Sequence, residues 1–118
     1  MTYALPEKDA RDKRRGMRAE ELMAHHAAEF IARETDGTSL ITVTRADIAE
    51  SNTQATIFVS VFPDEKAASA VQFLTNRLPE FREYLRTHAR MRSLPRLEFV
   101  QDFGEKNRQR LDELGRAA

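Results

Sequence analysis

Gln54-Ala-Thr-Ile-Phe-Val-Ser-Val-Phe-Pro-Asp64 is the stretch on which the fold turns. Successive side chains of a strand point to opposite faces. Ala55, Ile57, Val59 and Val61 therefore make one face, and Thr56, Phe58, Ser60 and Phe62 make the other. Pro63-Asp64 ends the strand and opens a helix, with Asp64 placed to accept a hydrogen bond from a first-turn amide. Just upstream, Leu40-Ile-Thr-Val-Thr44 alternates in the same way. Glu50-Ser-Asn-Thr53 between them is a polar turn, so the two strands should pair antiparallel.

Working outward, Met23, Ala27, Phe30 and Ile31 recur at helical spacing, with Leu22 beside them. Asp36-Gly37 should stop that helix near Glu34. Residues 1–13 are polar, contain Pro6 and are expected to form a flexible N-terminal segment; residues 14–118 read as a single domain. Downstream, Ala67, Ala70, Val71 and Leu74 form the buried stripe of a second helix. Pro79 lacks an amide hydrogen and disfavours helical backbone at Leu78, so the chain should bend there and restart. Phe81, Tyr84, Leu85, His88 and Ala89 give the apolar face of a third helix, with His88 at the edge of the core. Pro95 limits it, Leu97, Phe99 and Gln101 lead a third strand, and residues 105–114 read as a short last helix. A helical crossover between the second and third strands makes them parallel if they are neighbours. The expected fold is α+β, in the order α-β-β-α-(bend)-α-β, with a three-stranded mixed sheet and helices packed on one face.

Composition excludes several classes. With no cysteine among 118 residues, disulfides, zinc–thiolate sites and thiol catalysis are ruled out. No apolar run reaches the ~20 residues of a spanning helix, and the N-terminus lacks a signal-peptide core, which points to a cytoplasmic protein with no membrane partner. His25, His26 and Glu29 offer an i, i+4 pair, but too few ligands for a metal. Ser60, Asp47, Glu50 and Asp102 form no catalytic set and there is no Gly-rich phosphate loop, so no enzyme activity, cofactor or small-molecule substrate is expected.

The charge is more informative. Nineteen bases balance nineteen acids, yet residues 77–96 hold six arginines against Glu80 and Glu83. Such a local excess in a neutral chain suggests a surface that meets phosphate. Arg82, Arg86 and Arg90 recur every four residues and should form one stripe on the third helix, away from Phe81, Leu85 and His88. Arg77, Arg92 and Arg96 extend the same basic region. Arg11, Lys13, Arg14, Arg15 and Arg18 make a second cluster, a basic arm able to order on RNA. The ordinary alternative for both is a solvated helix face with local ion pairs, such as Glu83 with Arg86.

The element order is that of a type II KH domain. Ile41-Thr-Val-Thr-Arg-Ala-Asp-Ile-Ala, Ala55-Thr-Ile-Phe-Val-Ser and Phe81-Arg-Glu-Tyr-Leu, followed by Arg90-Met-Arg-Ser-Leu-Pro-Arg-Leu-Glu-Phe-Val-Gln-Asp102, resemble the ribosome-binding factor A family. The similarity covers roughly residues 14 to 115. It implies a non-catalytic ribosome assembly factor that binds the small (30S) ribosomal subunit and its 16S rRNA in late maturation and contributes to cold adaptation. It is expected to be a monomer when free. In the family an alanine-any-glycine kink separates the second and third helices; here those positions read Arg77-Leu78-Pro79. A serine is usual soon after the aspartate matching Asp102, where this chain has Phe103-Gly104. The rival reading is a KH-like protein-interaction adaptor that uses the acidic middle of the chain and does not bind the ribosome.

Overall fold

The computed structural model of the protein describes residues 4–91 and 93–104, with side chains from residue 18 onward. Its centre is β2 (Gln54–Phe62), flanked by β1 (Leu40–Ile48) and β3 (Arg96–Gln101) in the order β1-β2-β3. β1 pairs antiparallel with β2, and β3 pairs parallel. Helices α1 (Ala4–Glu34), α2 (Ala67–Asn76) and α3 (Leu78–His88) complete the α-β-β-α-α-β order of a KH-like domain. The last helix read at residues 105–114 lies outside the described residues.

β2 alternates as its sequence demands: Ala55, Ile57 and Val59 are fully buried, and Val61 nearly so. β1 is four residues longer than its alternation suggested, because a bulge at Thr44 resets the period. Val43 lies opposite Val59 and Arg45 opposite Phe58, leaving Thr44 as the extra residue. One added residue exchanges the faces of everything after it. Ala46 thereby enters the core and Arg45 and Asp47 stay exposed, whereas unbroken alternation would bury the two charges.

α1 begins at Ala4, so its helical backbone takes in residues 4–13. Pro6 stands in the first turn, where a missing amide hydrogen forfeits nothing, and Glu, Lys, Asp, Ala and Arg follow. The helix stops where Asp36-Gly37 predicts: Gly37 has φ 84° and Asp36 Oδ1 accepts the Thr38 amide at 3.0 Å. That bond, the largest influence on Asp36, holds its carboxyl below the usual carboxylate range. Glu20 ties α1 to the far end of β1, accepting the Ile48 amide at 2.8 Å.

The return from β2 opens with a 3-10 turn at Asp64–Lys66. Pro63, not Asp64, occupies its capping position. The bend between α2 and α3 falls at Arg77 (φ −98°, ψ 6°), one residue before the expected point. Leu78 and Pro79 are already the first residues of α3. A proline in the first turn interrupts no bond within its own helix, and the Phe81 amide closes the turn on the Arg77 carbonyl at 2.9 Å.

All three helices pack on one face of the sheet. Phe81 is the hub: its ring centroid lies 5.0 Å from that of Phe30 on α1 and 5.5 Å from that of Phe99 on β3. Met23, Leu74 and Leu85 are fully buried around it. Phe81→Ala should therefore cost about 3–5 kcal/mol, because both the transfer energy and the cavity term apply. Chemical denaturation will check this; a loss below about 1 kcal/mol would mean that the three elements meeting at Phe81 do not depend on it.

Candidate nucleic-acid interface

Arg82, Arg86 and Arg90 do not form one stripe along α3. α3 ends at His88, and Arg90 lies beyond it with φ 55°, in the left-handed region. The Met91 amide turns back to the Leu85 carbonyl at 3.3 Å, and the chain leaves towards β3. Extrapolating the four-residue spacing past the helix end placed Arg90 on a face that has already stopped. Its side chain is exposed on the turn instead.

The remaining arginines divide by environment. Arg82 is half-buried and donates to the Pro95 carbonyl at 3.1 Å, tying α3 to the entrance of β3. Arg77 is half-buried at the interhelical bend, over the Phe73 ring at 5.1 Å and 4.0 Å from Glu34. Arg86 is exposed and stands 3.7 Å from Glu83, the ion pair anticipated for an ordinary helix face. Arg96 is exposed at the first position of β3. Arg82 grips the carbonyl immediately before it, which brings α3 and the start of β3 together. Arg92 lies outside the described residues. Of the N-terminal cluster, Arg18 is exposed on α1, while the side chains of Arg11, Lys13, Arg14 and Arg15 lie outside the described set.

A polar seam joins α1 to α3. Tyr84 donates to Glu29 at 2.7 Å, and His25 pairs with the same carboxylate. The Tyr84 hydrogen bond, ahead of the nearby histidines, holds the Glu29 carboxyl below the usual carboxylate range. Glu29 in turn pushes the Tyr84 phenol up. His88 is exposed, not packed at the core edge. It stacks on the Tyr84 ring at 4.2 Å, with Arg33 3.4 Å from its Nε2. Arg33 also lies 5.4 Å over Tyr84. The Nδ1 atom of half-buried His26 has no hydrogen-bond partner among the described residues. Among the described residues no group of three potential ligands gathers for a metal ion.

Sequence reading missed two cations. Arg33 and Arg45 sit in the acidic middle of the chain, where a segment count of charge conceals them. Arg33 joins the α1–α3 seam; Arg45 lies on the far face of the sheet, over Phe58 at 4.1 Å and 3.5 Å from Asp47. No helical or strand periodicity marks either one.

A family model described as ribosome-binding factor A matches residues 15–115. The chain belongs to that family. Ribosome-binding factor A of Fervidobacterium nodosum is 32% identical over 77 residues, a stretch that is 64% of this chain and 62% of that relative's length. The crystal structure of ribosome-binding factor A from Thermus thermophilus superposes with a TM-score of 0.64 at 26% identity, covering 73% of this chain and 93% of that one. A homology model of the Thermus thermophilus factor, fitted into a cryo-EM map of its complex with the 30S subunit, superposes at 0.61 with 26% identity, covering 70% and 90%. In the present member, Arg77-Leu78-Pro79 makes the break between α2 and α3 at an arginine with its side chain half-buried against Phe73.

The polar seam gives a pH prediction. A carboxyl with a lowered folded-state pKa stabilises the fold fully above the usual carboxylate range and loses that contribution as pH falls through it. Tyr84→Phe removes the largest cause of the lowering. Its stability should accordingly fall less than the wild type's between about pH 6 and pH 3. Parallel acid limbs in denaturant titrations of the two proteins would remove Tyr84 from this role.

Proposed function

We propose that this protein is a non-catalytic ribosome assembly factor of the cytoplasm that binds the small ribosomal subunit through 16S rRNA during late maturation. The cold-adaptation role implied by the family resemblance belongs to the same reading. The carrying observation is the match of the ribosome-binding factor A model to residues 15–115, in a chain that exposes Arg86, Arg90 and Arg96 where α3 turns into β3. The fitted 30S complex of the Thermus thermophilus factor supports the choice of partner.

The surroundings of the arginines support different roles for them in this reading. Arg86, Arg90 and Arg96 are exposed and suited to phosphate, as is Arg18 on α1; Lys13, Arg14 and Arg15 join Arg18 in a second basic cluster by position in the chain. Arg92 belongs to the first patch by position in the chain. Arg82 and Arg77 act mainly by holding α3 in place, so their loss costs fold before it costs binding. Phosphate contacts fix position and carry no base code, so weakening should be alike on all RNA sequences.

Binding to purified small subunits should fall as salt rises. Four phosphate contacts, as from Arg18, Arg86, Arg90 and Arg96, give a loss of about three decades in affinity per decade of salt. Filter binding or gradient co-sedimentation across a salt series measures this. Flat affinity, or free protein at the top of a sucrose gradient at every salt, would favour the adaptor reading.

Arg90→Gly separates binding from folding. Glycine occupies the left-handed region without the strain a side chain meets there, so stability should stay level or rise by about 1 kcal/mol. Affinity should nevertheless drop, with the salt slope shallower by about one. A variant that melts as high as wild type and binds as tightly at every salt would take Arg90 out of the interface.

A further inference from the structure

Between the end of α1, the first residues of β1 and one face of α2 lies a pocket of about 320 Å³. That is the small end of the range for ligand sites, about 300–1,000 Å³, and suits a single planar ring system. Ile41, Ala70 and half-buried Phe73 give it an apolar wall, and Glu34, Lys66 and Arg77 stand around that wall. Arg86, Arg90 and Arg96 do not line it.

The loop that closes one side is fixed from two directions. Asp36 Oδ1 accepts the Thr38 amide at 3.0 Å, and Lys66 Nζ donates to the Thr38 carbonyl at 2.8 Å. Those two charges are committed. Glu34 and Arg77 are held more loosely. They stand 4.0 Å apart, beyond the about 2.7–2.9 Å of a charge-assisted hydrogen bond. Among the described residues neither side chain makes a hydrogen bond. Arg77 rests instead over the Phe73 ring, 5.1 Å from its centroid. A carboxylate with uncommitted lone pairs and a guanidinium with uncommitted N–H groups thus stand side by side against an aromatic wall. The charges lining the pocket, Glu34 and Asp36 against Lys66 and Arg77, cancel, so it has no field that would select a bare phosphate.

We propose that this pocket takes a single unpaired guanine base. Guanine carries N1–H and N2–H side by side, two donors for the two oxygens of Glu34. O6 follows on the same edge, an acceptor for Arg77. Adenine and cytosine set one donor beside an acceptor, and uracil has one donor between two acceptors. Each of these would turn a lone pair towards a Glu34 oxygen. The purine plane lies along Ala70 and Phe73, as splayed bases of single-stranded RNA lie on aromatic side chains. The inference rests on the RNA-binding reading for the source of the base; a free guanine nucleotide offers the same edge.

Titration of the isotope-labelled full chain with GMP, AMP, CMP and UMP, followed by amide NMR shifts, tests the pocket. GMP should move amides of residues 34–41 and 66–77 to saturation, with an affinity about tenfold or more above the other three. Glu34→Gln keeps the size of a half-exposed side chain but replaces one acceptor by a donor. The preference for guanine should then shrink to about twofold or less. Pentanucleotides separate the sources. If the base comes from RNA, UUGUU should bind tighter than GMP and UUAUU should lose that gain; GMP binding as tightly as UUGUU assigns the pocket to the free nucleotide. Equal affinity for all four nucleotides overturns the proposal, as do shifts confined to other residues. So does an unchanged preference in a Glu34→Gln chain that melts as wild type. A chain without guanine preference that still co-sediments with small subunits loses the pocket alone. One that takes GMP at these residues and stays at the top of the gradient loses the ribosome reading and keeps the pocket.

Discussion

Parallel pairing of β2 with β3 governs the rest of the molecule. Parallel neighbours cannot be joined by a tight turn; the chain must travel back the full length of the strand before it pairs. Residues 63–95 make that journey as a 3-10 turn, α2, the break at Arg77 and α3. The return path is then fixed at both ends. The Arg96 amide donates to the Thr53 carbonyl at 3.0 Å where β3 begins, and Arg82 holds the Pro95 carbonyl just before it. Phe81 sits at the middle of the return and packs on both α1 and β3. The exposed Arg86, Arg90 and Arg96 are consequences of this geometry. They gather where the crossover must turn from α3 back into the sheet.

Most of the fold was legible in the sequence because two periods were clean. The period-2 run of β2 and the helical spacing of Met23–Ala27–Phe30–Ile31 both described the faces that are buried. What was not legible came from places where a period is interrupted. The second half of β1 was missed because the bulge at Thr44 puts Thr44 and Arg45 side by side on the exposed side, which reads as the end of a strand. Pro79 announced a bend but not its exact residue, since proline is compatible with the first turn of the helix it starts.

The candidate interface was legible as composition and not as geometry. A count of arginines between 77 and 96 located the basic region. It did not distinguish Arg82, whose guanidinium serves a backbone carbonyl, from Arg86, which is free to meet solvent beside Glu83. That difference depends on a residue thirteen positions away in the chain, Pro95, and no local rule encodes it. The same limit applies to His88. Helical spacing put it with Tyr84, and it does stack there, but on the outer side of the ring, where burial fails and Arg33 can approach.

The bulge at Thr44 has one more effect. β1 is an edge strand, and its outer row of amides and carbonyls is a template on which a foreign strand can grow. A continuous template needs an unbroken ladder of evenly spaced donors and acceptors. At Thr44 the spacing slips by one residue, and just beyond it Arg45 and Asp47 stand exposed. A strand adding along β1 from Leu40 would lose register after four residues and meet charge at the next. The residue that directs Ala46 into the core therefore also guards this edge against strand-by-strand aggregation.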